Sequence, residues 1–431
     1  MTVKTASHRS EPRPSTRAGR RGRTGSTVVV AHPGAELYGS DRVLLETVTA
    51  LGTRYDRVVV ALPEHGPLSS ELVSRGARVV TMRSPVLRKS ILRPRGFARF
   101  VADLAVGTWQ GVRLLRRERP ALIFVNTVTI PLWLVLSRMS RVPSVCHVHE
   151  AEDGASKLLR YLLALPLLLA NQIIANSRFS ADVLGKSIRR LGSASVVVLN
   201  AVPGPPHAEM ARAETNAGLR VTYVGRISPR KGVDVAVEAV AQLRARGINA
   251  VLDIYGAVFA GYEWFEAELR DRIVDLDMVD SVRFHGFCSD VWDGISRGDV
   301  VVVPSRLAEP FGNTAVEAIL SGRPVVASAI GGLVEAVDGY RSAARVQPGD
   351  ASALASALDD VRRRWVDVRQ DAWSDRQLAL RRHDADQYGL EILRTIDDVH
   401  DSAPQTPRRG RSDYPVSTSA MPSGVTNRDA P

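Results

Sequence analysis

Residues 221–243 read "VTYVGRISPRKGVDVAVEAVAQL". A β-branched run ends at Gly225, a short loop carries Arg226 and Lys231, and apolar positions Val235, Val237, Ala239 and Val240 mark a helix from near Asp234. An apolar run that is continuous rather than alternating is a strand buried on both faces, which means a parallel sheet flanked by helices. Outward from this unit the pattern repeats. "TVVVAHP", "RVVVALP", "RVVTM", "ALIFVNT", "SVCHVHE", "QIIANS" and "SVVVLN" precede it, and "AVLDIYG", "VRFHGF", "DVVVVPS", "RPVVAS" and "AARVQP" follow. Between the two series lies "NAVPGPPHAEMARAETNAG", residues 200–218, rich in Pro, Gly and polar residues, as a linker between domains is. The pattern predicts an α/β protein of two Rossmann-like, doubly wound domains that face a central cleft, with ligands at the carboxyl ends of the strands. The expected units are a basic, disordered tail over 1–25, an N-terminal domain over 26–200, a linker over 201–218 and a C-terminal domain over 219–365. Helices over 366–400 return towards the N-terminal domain, and a second disordered tail covers 401–431.

A chain of 431 residues exceeds what one hydrophobic core usually serves. Two cysteines, Cys146 and Cys288, are too few for a disulfide framework or a zinc site and suggest a reducing compartment. The polar first 25 residues lack the apolar stretch of a secretory signal, so a cytoplasmic setting is expected. The net charge of +11 is local: residues 1–25 hold seven Lys/Arg against one Glu, and residues 88–119 hold nine against Asp103 and Glu118. Neither segment carries the aromatic platform or motif of a nucleic-acid binder, and an anionic membrane surface explains a basic patch equally well.

Three strand-to-helix loops of the second half carry anion-binding features. Arg226 and Lys231 beside a helix start suit a diphosphate, although a solvated loop would look the same. In "RLAEPFGNTAVEAILSGRPVVAS", residues 306–328, Glu309 precedes a helix expected from Asn313 or Thr314. Glu317 then falls at the third position of a capping box begun by Thr314, a purely structural role. In "ASAIGGLVEAVDG", residues 327–339, Gly331 and Gly332 let backbone N–H groups approach a pyrophosphate before a helix from Leu333.

Taken in order, "GRISPRKG", "YG…RFHGF…DVVVVPS", "EPFGNTAVEA", "SGRPVVAS" and "GGLVEAVDG" resemble the retaining glycosyltransferases of family 4, the group 1 family of the GT-B fold. The paired-glutamate motif is met by Glu309 and Glu317. The resemblance implies that Arg226 and Lys231 hold the donor diphosphate with Gly331 and Gly332. It also implies that Glu309 acts catalytically on the donor sugar, that Phe311, Gly312 and Asn313 surround that sugar, and that Glu317 holds the ribose. In the first half it implies that the "LYGSDR" loop closes on the diphosphate through Gly39 and Ser40; Ser40 as a plain helix N-cap is the alternative. His147 and His149 share one face of their strand, so alternation cannot choose between them; the family pattern favours His149 as a catalytic residue beside sugar and acceptor. The resemblance of "ANSRFSADVL", residues 175–184, to the family's segment implies that Asn176 and Ser177 shape the acceptor side.

Asp275 and Asp277 spell D-x-D, but on a loop away from these motifs, and His383, Asp384 and Asp386 fall in a polar helix without metal-site company. No metal and no cofactor are therefore expected, with Arg226 and Lys231 supplying the positive charge. Residues 86–120 combine cations with Ile91, Leu92, Phe97, Phe100, Val101, Leu104 and Trp109, which suits docking on anionic lipid or an ordinary basic helix with one core face. The apolar run 158–175 is interrupted by Arg160 and Pro166 and reads as a buried helix followed by a strand. The expected function is transfer of a hexose, mannose favoured, from a GDP- or UDP-sugar to a glycan or lipid-linked acceptor in surface polysaccharide or glycolipid synthesis. The alternatives are a sugar-nucleotide epimerase of the same fold, and a non-catalytic binder of anionic surfaces or nucleic acid.

Overall fold

The computed structural model describes residues 24–87, 94–151, 153–258, 261–288 and 290–402. The expected tails fall outside the described residues over 1–23 and 403–431, as do Ile91 and Leu92. The first domain runs β1 (Thr24–Ala31), α1 (Gly39–Arg54), β2 (Tyr55–Leu62), α2 (Pro67–Ser74), β3 (Arg78–Thr81), α3 (Pro94–Glu118), β4 (Leu122–Val125), α4 (Leu132–Ser140), β5 (Ser144–Val148), α5 (Lys157–Ala164), β6 (Gln172–Ala175), α6 (Arg178–Ser187), α7 (Arg189–Ala194) and β7 (Ser195–Val197). The second runs β8 (Leu219–Val224), α8 (Val233–Ala245), β9 (Ala250–Tyr255), α9 (Glu263–Asp275), β10 (Val282–Gly286), α10 (Val291–Arg297), β11 (Val300–Val303), α11 (Asn313–Leu320), β12 (Val325–Ser328), α12 (Gly332–Ala336) and β13 (Ala343–Val346). Helices α13 (Ala351–Arg363), α14 (Trp365–Arg382) and α15 (Ala385–Ser402) close the described chain.

Each apolar run is a strand, and every pairing is parallel. Strand order is β3-β2-β1-β4-β5-β6-β7 in the first sheet and β10-β9-β8-β11-β12-β13 in the second. Both reverse direction of winding beside their first strand, between β1 and β4 and between β8 and β11. At such a switch point neighbouring crossovers leave on opposite faces and open a crevice above the strand ends. Apolar layers fill both faces of each sheet, as in the two clusters that hold Val28, Val30 and Phe124 on one side and Val29, Ala31 and Val125 on the other.

Helix α14 stays on the second domain, where the Asp375 carboxylate accepts from the Ser342 N–H at 2.8 Å and hydroxyl at 2.7 Å. Helix α15 crosses to the first and buries Tyr388, Ile392, Ile396 and Val399 with Val43, Leu44 and Leu51 of α1. The Tyr388 and Thr47 hydroxyls meet at 2.6 Å.

Three expectations change. Helix α11 begins two residues earlier than a Thr314 cap requires: Gly312, at φ +127°, is its N-cap, no side chain caps it, and Glu317 lies beyond the third position. The capping-box reading of Glu317 is thereby removed. Second, residues 158–169 are buried only in part: Ala164 and Leu167 join the core, whereas Leu158, Leu159, Tyr161, Leu162, Leu165 and Leu168 are exposed. Among the described residues no helix is long and apolar enough to cross a membrane. Third, His383 is not on a polar helix face but 2% exposed at the α14–α15 joint, its Nδ1 3.2 Å from the Asn200 carbonyl and its ring edge-on to Phe311.

Because α15 holds to the first domain through aliphatic packing, Ile392→Ala is expected to cost about 2–5 kcal/mol. The change should appear as a lower urea midpoint with an unchanged slope.

Candidate active site

The two crevices face each other, and their loops build one site. From β8, Gly225 leads to Arg226 and a short 3-10 turn, Pro229–Lys231. From adjacent β11, residues 304–312 pass above the sheet to α11. Adjacency at the switch point is what brings Lys231 to Glu309, 78 positions away, with Nζ 2.8 Å from Oε2. The Ser305 hydroxyl donates to the other carboxylate oxygen, Oε1. Burial by itself would raise the Glu309 pKa; the Lys231 charge and the hydrogen bonds from Lys231 and Ser305 outweigh it and hold the carboxyl below its ordinary value.

The glycine pair supports that loop. Gly332 donates its N–H to the Glu309 carbonyl at 2.7 Å, and a Cβ there would stand 2.2 Å from the Pro310 oxygen. A Cβ on Gly331 would meet the Glu309 backbone at 2.7 Å. The structure thus presses both glycines against residues 309–311, and the Gly332 N–H is already spent on Glu309.

Glu317 lies one turn inside α11, buried, on the wall of a cavity of about 130 Å³ between the domains. Burial pushes its carboxyl above the usual range, against the pull of the Arg42 and Lys231 charges. The same cavity is lined by Tyr38, Gly39, Arg226, Phe287, Asn313 and Thr314. The first domain closes over it. The Tyr38 ring covers the Arg226 guanidinium at 4.1 Å, a cation–π contact, and meets Phe287 edge-on. Gly39 faces Asn313 so closely that a Cβ would be 2.9 Å from its Nδ2, and Asn313 Oδ1 accepts from Asn200 Nδ2 at 2.9 Å. Ser40 is not the N-cap of α1; Tyr38 is, and the capping carboxylate is Asp41, which accepts from the Tyr38 N–H at 2.8 Å. Along the cleft, the Ser177 hydroxyl donates to the Pro310 carbonyl, and the Arg178 N–H to Glu335 at 2.8 Å.

The two histidines part company. His147 is fully buried with neither ring nitrogen bonded, whereas His149 stands just past the end of β5 with Nε2 3.0 Å from Asn126 Oδ1. Asp275 and Asp277 lie at the C-terminal end of α9, and among the described residues no cluster of three His, Cys, Asp or Glu side chains could hold a metal.

Family comparison agrees with this architecture. The Glycosyltransferase Family 4 model matches residues 38–203, and the model for glycosyl transferases group 1 matches residues 218–363. The two domains are those of a GT-B glycosyltransferase of family 4. The chain is 28% identical over 246 residues to a glycogen synthase of Mycobacterium tuberculosis, covering 53% of this chain and 58% of that protein. It is 27% identical over 340 residues to the 2-deoxystreptamine glucosyltransferase of Streptomyces kanamyceticus, covering 72% and 85%. The chain thus spans little more than half the length of that glycogen synthase, and 39% and 36% of the length of two further relatives. In fold it resembles Anabaena HepE, solved with UDP-glucose, at a TM-score of 0.73, 21% identity and coverage of 86% and 100%. It also resembles the sucrose-phosphate synthase of Thermosynechococcus elongatus, at 0.68, 19% and coverage of 88% and 100%.

Sequence reasoning missed Tyr38, Arg42, Phe287, His32 and Asn126. An aromatic residue just before the Gly39-Ser40 pair was the one available signal for Tyr38. His149 and His383 are held neutral chiefly by burial, with pKa values lowered to about 3 and about 4. In the unfolded chain both titrate near the ordinary histidine value, about 6.5. Their stabilising contribution is therefore complete above that value and is lost as the pH falls towards the folded values. Unfolding free energy is expected to decline from pH 7 to pH 4, and His383→Gln to flatten that decline by roughly 2–3 kcal/mol, measured by urea titration across the range.

Proposed function

We propose that this glycosyltransferase moves a hexose from a nucleotide diphosphate sugar to a glycan or lipid-linked acceptor with retention of anomeric configuration. The observation that carries the reading is the Lys231–Glu309 pair, set between a helix start and the Arg226 loop in the interdomain cleft. Departure of the nucleotide puts negative charge on phosphate and positive charge on the sugar. Arg226 and Lys231 meet the first without a metal, and Glu309 and His149 orient the second. Glu309 has Ser305 on one oxygen and Lys231 on the other, which favours an electrostatic role over attack as a nucleophile. In that case the leaving phosphate takes the acceptor's proton. Glu317 receives the ribose diol, and its carboxyl is relieved of any capping duty.

Gly39 and Ser40 approach the diphosphate from the first domain. Gly331 and Gly332 act on it through the loop they support, while Phe311, Gly312 and Asn313 bound the sugar. A cavity of about 130 Å³ is below the ~300–1,000 Å³ of ordinary ligand sites, so the donor enters by parting Tyr38 from Arg226 and Gly39 from Asn313. The UDP and UDP-glucose of the HepE structures favour a UDP-sugar over a GDP-sugar. Mannose as the hexose, and a surface polysaccharide or glycolipid as the product, are the specific form of the proposal. The epimerase alternative differs in needing no acceptor.

Peripheral contact with an anionic membrane belongs to the same proposal. Phe97, Val101, Leu104 and Trp109 of α3 are exposed within the basic segment, and leucines of α5 are exposed as well. Such a surface fits an enzyme working at the inner face of the plasma membrane.

In a thermal-shift series with UDP, GDP, ADP and dTDP, a single nucleotide is expected to raise the melting temperature. The gain corresponds to about 2.7 kcal/mol at a hundred times its Kd. Arg226→Ala should abolish that shift; an undiminished shift would contradict the diphosphate assignment. With donor and acceptor in hand, Glu309→Gln should lower kcat by about 10²-fold or more, and full activity would remove Glu309 from the chemistry. Sedimentation with anionic but not zwitterionic vesicles, weakened by Trp109→Ser with Leu162→Ser, checks the membrane face.

A further inference from the structure

His32, Asn126 and His149 each stand one residue past the end of β1, β4 and β5, which are neighbours in the sheet. All three are buried. They form an unbroken polar row. Asp41 Oδ1 is 2.9 Å from His32 Nε2, His32 Nδ1 is 3.1 Å from Asn126 Nδ2, and Asn126 Oδ1 is 3.0 Å from His149 Nε2.

The direction of every bond follows from the Asn126 amide, which turns its NH2 towards His32 and its oxygen towards His149. An amide N–H only donates, so His32 Nδ1 accepts and the ring's proton lies on Nε2, towards the Asp41 carboxylate. The amide oxygen only accepts. His149 therefore carries its proton on Nε2, and its Nδ1 is left as an acceptor. That Nδ1 is buried and has no hydrogen-bond partner in the protein. A buried acceptor without a partner costs about 1–3 kcal/mol, a cost removed when a hydroxyl donates to it.

The other end of the row is anchored at the cleft. The second oxygen of Asp41 accepts from the Tyr38 N–H at 2.8 Å, and Tyr38 covers Arg226. The row thus runs from the turn that closes the donor cavity to the imidazole assigned to the sugar.

We propose that Asp41, His32 and Asn126 are positioning residues that lock His149 in its neutral Nε2–H form, so that Nδ1 accepts a hydrogen bond from a hydroxyl of the bound sugar. The row also ties this ring to the first turn of α1. Only the identity of the donating hydroxyl rests on the transferase reading; the locked tautomer does not.

The test is nitrogen NMR of protein labelled with 15N-histidine, with the His149 ring assigned through His149→Gln. At neutral pH the full chain should show a pyrrole-type Nε2 and a pyridine-type Nδ1 for His149. Asn126→Ala should turn that single pattern into a tautomer average. Asp41→Asn, which leaves the space filled and lets an amide donate to His32, should do the same if the alanine variant does not fold. Saturating UDP-glucose should move the Nδ1 resonance of the intact protein, and UDP alone should not. A proton on Nδ1 in the intact protein, or an unchanged tautomer in whichever variant folds, overturns the positioning row. A locked tautomer that no nucleotide sugar perturbs, although the sugar binds, overturns the contact with the sugar. If no nucleotide sugar binds at all while the tautomer is as stated, the transferase reading fails and the positioning row survives.

Discussion

A carboxylate withdrawn from water costs several kcal/mol unless a cation and hydrogen bonds replace its hydration, and Glu309 is 8% exposed. Lys231 and Ser305 supply that replacement, and the arrangement of the cleft follows from it. Lys231 is carried by the loop after β8 and Glu309 by the loop after β11. They meet because these strands are neighbours in a parallel sheet although β9 and β10 intervene in the chain. The glycine pair that opens α12 then presses the Glu309 loop from the far side, and no side chain fits between.

The two acids eight residues apart end in opposite electrostatic states. Glu309 is held ionised by a cation in contact, while burial raises Glu317 against the pull of the Arg42 and Lys231 charges. Environments that push neighbouring carboxyls apart give them different tasks. A fixed charge suits a sugar that becomes positive in the transition state, whereas a buried carboxyl facing the cavity suits hydrogen bonding to a diol. On the facing domain the polar row from Asp41 to His149 performs a comparable service without a net positive charge, since burial keeps His149 neutral.

Much of the fold was legible because its signal is local. Continuous apolar runs such as Val300–Val303 cannot be half-exposed strands, and each of the thirteen runs is a parallel strand. The meeting of the Arg226, Glu309 and Gly331 loops was legible in the same way, since crossovers in a doubly wound sheet return every such loop to one edge. What was not legible depends on backbone geometry or on distant packing. Gly312 takes a φ of +127° and starts α11 early, so the match of Thr314 to a capping box was fortuitous. The leucines of α5 read as core because hydrophobicity alone does not say whether a neighbouring layer exists to cover them. His383 sits among polar residues in sequence but at the joint where α14 ends and α15 departs for the other domain.

That joint, with Asn200 touching both His383 and Asn313, connects the end of α14 to the start of α11. The central claim is that loops from both domains gather around one departing nucleotide. A crystal structure of the protein soaked with UDP-glucose tests it most directly. The account predicts the diphosphate between Arg226, Lys231 and the start of α11, with the ribose on Glu317 and the sugar between Glu309 and His149. Nucleotide bound elsewhere, for example on the arginine-lined face of β8, β9 and β10 around Arg220 and Arg283, with the Lys231–Glu309 cleft unchanged, would contradict it.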